Sequence, residues 1–381
     1  MMIGRPSILI TAILSIILLL SVGLTGIPSS AQGVTHSISE GYVDVSVGNI
    51  NIRITSTTGI EVIEVSGKPL VVDVGWEIRD PSDNLIGETY KTGGLEVVMS
   101  PSVSEFESGI TVVTHSRIPP DIIPHVEVKT TYTIYNTGLI IINTTLRAYS
   151  DTEAGHTRFV LSLPLDVFLA KKISFVYDTT PTEITPPDKY KTYTLYEGPL
   201  VIMHSSTDYG DIVIMANEPT EISVRLDDMR KYGSNYLTLK FEGVAISGAL
   251  QSGQGISISI IIYPHTKGSE YTNHIVNVYN YIKSISEGIS SLSKRKTRTP
   301  GGAKLLRQCL DEYSLARNLF MQGDVNNAYT HALKAFELIK KAESTEVKQR
   351  ILFFIVIPDI IFLLIVIYAI WSARAKVLKQ S

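Results

Sequence analysis

The residues of this chain that could do chemistry are spread along it in no established catalytic spacing. His115, His125, His156 and His204 form neither an H-x-H nor an H-E-x-x-H pattern, so no metal set is read from them. There is no G-x-S-x-G, no P-loop and no Cys–His pair, since Cys309 is the one cysteine. No catalytic residue, cofactor or metal is assigned, and motif-level reading argues against an enzyme without closing the question. His156-Thr157-Arg158, beside Glu153, either sets two polar side chains on one face at a strand start or forms a solvated loop. Asp178, Glu183 and Asp188 lie in a stretch punctuated by Pro181, Pro186 and Pro187; they are either carboxylates at a cleft rim or simply wet. Tyr177, Tyr190, Tyr193 and Tyr196 gather around that stretch, where ring faces suit a sugar or protein partner and equally suit an ordinary strand surface. Asn143-Thr144-Thr145 is the single N-glycosylation sequon.

These residues need a scaffold, and residues 41–264 read as strand after strand. Ile50, Ile52 and Ile54 alternate with Asn51, Arg53 and Thr55, the period of a strand with one wet face. Val126, Val128, Thr130, Tyr132 and Ile134 do the same, then Asn136-Thr137-Gly138 turns the chain into an apolar strand over 139–146. Ile256, Ile258, Ile260 and Ile262 close the region. About sixteen strands and no helix are expected here. Charged residues are only 19% of the chain, below the usual quarter, so a β-rich surface is expected. A single cysteine excludes an intramolecular disulfide, so stability must come from a large core. A net charge of −3 without a basic stripe points away from nucleic acid.

No Pro/Ser-rich spacer divides the β region, which favours one large two-sheet sandwich over two smaller ones. The segment 132–146 (Tyr-Thr-Ile-Tyr-Asn-Thr-Gly-Leu-Ile-Ile-Ile-Asn-Thr-Thr-Leu), followed by Leu161-Ser162-Leu163-Pro164-Leu165, resembles galactose mutarotase-like domains. That resemblance covers about 35 residues and implies a super-sandwich fold with sugar-facing surfaces. Mutarotase-like enzymes use a histidine and a glutamate, and no motif here carries those roles over to numbered positions.

Past residue 264 the period changes. Ile275, Val278, Tyr279, Ile282, Ile285, Ile289 and Leu292 recur at helical spacing. A basic linker at 294–302 leads to a helical hairpin, with Gly323 ending one helix and Asp324 capping the next. The stretch 316–335 resembles a single tetratricopeptide-type hairpin, read as part of a three-helix bundle. Residues 351–371 are nearly all apolar and would span about 31 Å as a helix, the thickness of a bilayer core. Asp359 follows Pro358 inside that stretch. It either stays neutral beside loosened backbone groups or meets a partner helix from another copy or subunit.

At the other end, Arg5, the apolar run 8–20 and Ser29-Ser30-Ala31 fit a secretory signal, with an uncleaved anchor as the alternative. The expected layout is thus signal peptide 1–31, β-sandwich ectodomain 32–266, helical bundle 269–349, transmembrane helix 351–371 and cytoplasmic tail 372–381. Arg374, Lys376 and Lys379 would hold the tail inside. This order resembles archaeal membrane-anchored surface-layer stalk proteins. It implies a single-pass, non-enzymatic cell-surface protein that anchors an envelope layer or binds carbohydrate or an envelope protein. The alternatives are a membrane-tethered carbohydrate-active enzyme and the extracellular subunit of a transport complex, with Asp359 contacting the partner helix.

Overall fold

The computed structural model describes residues 33–119, 121–122, 125–177, 181–217, 222–294 and 299–367. The expected signal peptide, Asp178, the last four residues of the expected span and the cytoplasmic tail lie outside the described residues.

Among the described residues nineteen strands build two antiparallel sheets. The ten-stranded sheet runs in spatial order β1 (Val34–Ser39), β2 (Tyr42–Val47), β3 (Ile50–Thr55), β4 (Ile60–Val65), β5 (Lys68–Arg79), β11 (Thr152–Pro164), β18 (Tyr236–Leu250), β17 (Ile222–Asp228), β14 (Thr194–Leu200); β6 (Leu85–Glu88) also pairs with β5. The nine-stranded sheet runs β13 (Thr182–Ile184), β12 (Ile173–Val176), β15 (Ile202–Ser206), β16 (Asp211–Ala216), β19 (Gly255–His265), β10 (Ile140–Ala148), β9 (Val126–Tyr135), β8 (Gly109–Arg117), β7 (Glu96–Phe106). Each sheet takes strands from both halves of the β region, so there is one super-sandwich. The hairpin at Asn136-Thr137-Gly138 forms with Gly138 at φ +87°, where a Cβ would fall 2.4 Å from Ile50 Cδ1.

The strand count exceeds sixteen because β6, β12 and β13, of four, four and three residues, are too short to show an alternation. For the same reason a four-residue helix, α1 (Leu165–Phe168), and a 3-10 turn at Met229–Tyr232 leave no helical period in the sequence.

One core fills the space between the sheets. Trp76 of β5 lies edge-on to Phe159 at 5.5 Å and donates from Nε1 to Thr144 Oγ1 of β10 at 2.9 Å, a hydrogen bond from sheet to sheet. A second core joins the nine-stranded sheet to the helices α2 (Ser269–Ser293), α3 (Pro300–Met321) and α4 (Val325–Ile351). Leu139, Ile141, Val213, Met215, Ile261 and Tyr263 pack there against Ile275, Val278, Tyr279 and Phe320. Tyr279 Oη donates to Ala216 O at 2.6 Å. The bundle is therefore a third layer on the sandwich, as well as a link toward the apolar helix.

Between α3 and α4, Gly323 at φ +75° donates to Phe320 O and Asp324 N donates to Leu319 O, both at 2.9 Å, the paired bonds of a Schellman stop. Asp324 then caps α4 by accepting from Asn327 N. The sequence suggested a break before residue 351. The helix instead runs unbroken from Val325 to Ile367, and its C-terminal part is long and apolar enough to cross a membrane with none of it buried in the protein. A wide π-turn at Leu352–Val356 precedes Pro358. Proline lacks the N–H that would close the preceding turn, and the wider turn takes up the mismatch. Asp359 is exposed on this helix.

Candidate functional site

Strand alternation turns Trp76, Phe159, Phe241 and Leu226 inward, so their neighbours on β5, β11, β18 and β17 face out of the sandwich. Pairing aligns these outward residues in rows. Glu77 lies opposite Arg158; Gly75, Val160, Lys240 and Arg225 form a second row; Ser162, Thr238, Asp227 and Thr194 form a third. A face of this kind is usually wet, yet here Asp227 is fully buried and Lys240 is 4% exposed. Buried charge persists only where it is paired and hydrogen-bonded.

Lys240 Nζ donates to Asp227 Oδ2 at 2.6 Å and to Tyr193 Oη at 2.9 Å. Asp227 also accepts from Arg225 Nε at 3.2 Å and from Thr194 Oγ1 at 3.0 Å. Burial pushes the Asp227 carboxyl up, and the Lys240 hydrogen bond and charge, with help from Arg225, more than reverse it, so it stays below the usual carboxylate range. Burial, and then the Asp227 charge, push the Tyr193 phenol up. Tyr232 meets Tyr193 edge-on at 5.6 Å and is 62% exposed, and Lys231 Nζ lies 5.0 Å over the Tyr193 ring. Asp228 caps the 3-10 turn and pairs with Arg230 at 2.6 Å. Arg230 in turn donates to Pro187 O and Asp188 O, both at 2.8 Å, which fastens the proline-punctuated loop to this end of the site.

At the other end, Arg158 Nε donates to Glu77 Oε2 at 3.0 Å. Tyr90 roofs Gly75, where a Cβ would fall 2.2 Å from Thr89 Oγ1 and 3.3 Å from Tyr90 Cδ1. The Tyr90 hydroxyl donates to Glu88 at 3.0 Å, and Lys91 pairs with Glu88 at 2.7 Å. Asp73 sits beside this group at a register shift between β5 and β11, with φ +55°. Burial pushes its carboxyl up to about 6; Lys91 opposes the rise, and Glu88, Glu61 and Glu77 add to it. One sheet face thus carries a carboxylate held ionised, Asp227, and one that titrates near pH 6, Asp73. Among the described residues no cluster of His, Cys, Asp and Glu could hold a metal ion.

The structure brings together only some of the residues singled out by sequence. Tyr193 and Arg158 belong to this face, and His156 is exposed two residues before Arg158 on β11. Tyr196 instead stacks on Phe175 at 3.9 Å and donates to Pro199 O, closing the edge of the core. Tyr177 lies under Lys283 of α2, 5.2 Å from its ring, and Tyr190 is exposed in the loop. Glu183 pairs with Lys172 at 2.8 Å. Asn143 lies on the outer face of the other sheet. Asp73, Glu77, Tyr90, Asp227 and Lys240 carried no motif in the sequence.

No family model matches the chain, and no curated protein sequence matches it. Solved structures similar to it include a galactose 1-epimerase from Lactobacillus acidophilus, at 7% identity over 61% of this chain and 98% of that one, TM-score 0.36. A GalM/aldose epimerase homologue from C. elegans matches at 10% identity over 60% and 99%, TM-score 0.36. A mutarotase candidate from Salmonella typhimurium matches at 6% identity over 66% and 100%, TM-score 0.40.

Proposed function

We propose that this chain is a membrane-anchored cell-surface protein whose ten-stranded sheet binds a carbohydrate across its outward face. The observation that carries this reading is the Lys240–Asp227–Tyr193 network, with Glu77–Arg158 in a neighbouring row. Asp227 and Lys240 are covered and act by fixing the part-exposed groups around them. Each sugar hydroxyl is both donor and acceptor, so a sugar is matched by Tyr193, Arg225 and the Glu77–Arg158 pair beside exposed ring edges such as Tyr232. Burial and mutual pairing hold these groups in place before a ligand arrives, which lowers the ordering cost of binding. The apolar C-terminal helix supports anchoring, and the N-terminal apolar run supports export. Envelope anchoring through a surface glycan fits the same reading, with a membrane-helix partner at Asp359 as its assembly contact.

The test is a glycan array probed with the detergent-solubilised full chain and with Tyr232→Ala, which removes an exposed ring without touching the core. A retained glycan whose signal falls in the variant supports the reading; no retained glycan, or equal binding by both, overturns it. A second reading is favoured by Asp73. Burial lifts the Asp73 carboxyl to about 6, a range that suits acid–base catalysis on a sugar held beside it, and on this reading the chain is a tethered carbohydrate-active enzyme. Turnover of a retained glycan that is lost in Asp73→Asn is its signature.

A further inference from the structure

The outer face of the nine-stranded sheet divides into two parts along a single strand. The outward residues Leu139 and Ile141, leading into and opening β10, are buried under the helices. Asn143, Thr145 and Arg147, the next three outward positions, instead line an open groove of about 430 Å³ with His115, Glu127 and Lys129. The groove therefore begins where the helical cover ends. Its floor is a lattice of hydroxyls and amides. Thr145 Oγ1 bonds Ser257 Oγ at 2.8 Å, and Asn143 Oδ1 accepts from the Ser259 hydroxyl. One wall is Tyr149 with Arg147 stacked 5.4 Å over its ring.

Asn143 is also the acceptor position of the chain's single sequon. The bond to Ser259 holds the amide by its oxygen and leaves Nδ2 outside that bond on an exposed side chain. Hydroxyls, an amide lattice and an arginine-backed ring make a bed for a sugar chain already tethered at that nitrogen.

We infer that Asn143 carries an N-linked glycan that lies along this groove and covers the polar part of the sheet face, as the helices cover the apolar part. The inference rests on the export proposed above. In the transfer, catalysed by the cell's oligosaccharyl transferase, Nδ2 attacks the anomeric carbon of a lipid-linked diphosphate oligosaccharide. The new C–N bond forms, the C–O bond to the diphosphate breaks, the diphosphate leaves with the electron pair, and the amide proton passes to a base.

The experiment expresses the full chain in a eukaryotic secretory host and reads three things: surface biotinylation, Asn143 glycopeptides by mass spectrometry, and the labelling rate of Lys129 with an amine-reactive reagent. A glycan at Asn143 that is lost in Asn143→Gln and in Thr145→Ala is expected, with Lys129 labelling several-fold slower in the glycosylated chain than in Asn143→Gln. A surface-exposed chain with unmodified Asn143 overturns the inference and leaves the export reading intact. A glycosylated chain with unchanged Lys129 labelling overturns the placement in the groove. A chain that never reaches the surface overturns the export reading, and this inference with it.

Discussion

Lys240 Nζ lies 2.6 Å from Asp227 Oδ2 on the outward face of a β-sheet, and neither side chain is open to water. Two strands bring them together, since Arg225 and Lys240 are paired positions and Asp227 lies opposite Thr238. Breaking such a pair from one side strands a buried charge. Lys240→Met is expected to destabilise the protein by about 3 kcal/mol, at the low end for buried pairs because Arg225 and Thr194 still hold the carboxylate. Urea denaturation checks this. Adding Asp227→Leu to the same chain removes the stranded charge, and most of the loss should return.

Asp73 makes the opposite statement about stability. Its folded-state pKa of about 6 lies above the ordinary 3.8, so between these values the folded protein holds a proton that the unfolded chain releases. Stability from this group therefore falls as pH rises through that window, and above about pH 6 the whole desolvation cost is present. At about 1.4 kcal/mol per unit, Asp73→Asn should gain up to about 3 kcal/mol at pH 7 and little at pH 3.5. Asparagine also tolerates the left-handed backbone at this position. Equal gains at both pH values would show that the carboxyl is not desolvated.

His265 works in the other direction, at the joint between β19 and α2. Burial pushes its pKa down to about 4, with Asp211 at 3.7 Å pulling it upward, Lys267 pushing it further down, and Thr272 bonded to the ring at 3.2 Å. The unfolded chain takes up a proton below about pH 6.5 that the folded protein refuses until about pH 4. Stability is thus complete above pH 6.5 and falls as pH drops, by about 3 kcal/mol at pH 4. Thermal melts of the wild-type chain and His265→Gln should diverge across that interval and run parallel above it.

Gly75 holds the roof of the site open. Gly75→Ala puts a methyl 2.2 Å from Thr89 Oγ1 and must displace that side chain, which accepts from Trp76 N at 2.7 Å. A loss of about 2 kcal/mol, in the range of overpacked sites, is expected in denaturant melts.

Much of the sandwich was legible because period-2 alternation survives in single strands such as β3 and β9. The third layer was present in the sequence in a different form. Ile212-Val213-Ile214-Met215 and Ile260-Ile261-Ile262-Tyr263 do not alternate, because these strands are buried on both faces, by the partner sheet and by the helices. Continuous apolar runs of that kind mark a doubly covered sheet. The site was less legible. A register shift between Thr194 and Tyr196 breaks the alternation, so Tyr193 and Thr194 both join the polar network while Tyr196 turns to the core edge. Asp73, Asp227 and Lys240 become neighbours of the site only through strand register, which no local pattern encodes.

The central claim is that the ten-stranded face, around Tyr193 and Lys240, receives a carbohydrate. Hydrogen–deuterium exchange of the full chain, with and without a glycan retained on the array, tests it most directly. The account predicts added protection in 186–196 and 225–242, absent in Tyr232→Ala. Protection confined to the groove around Arg147 and His115, or no protection anywhere at saturating glycan, would contradict it.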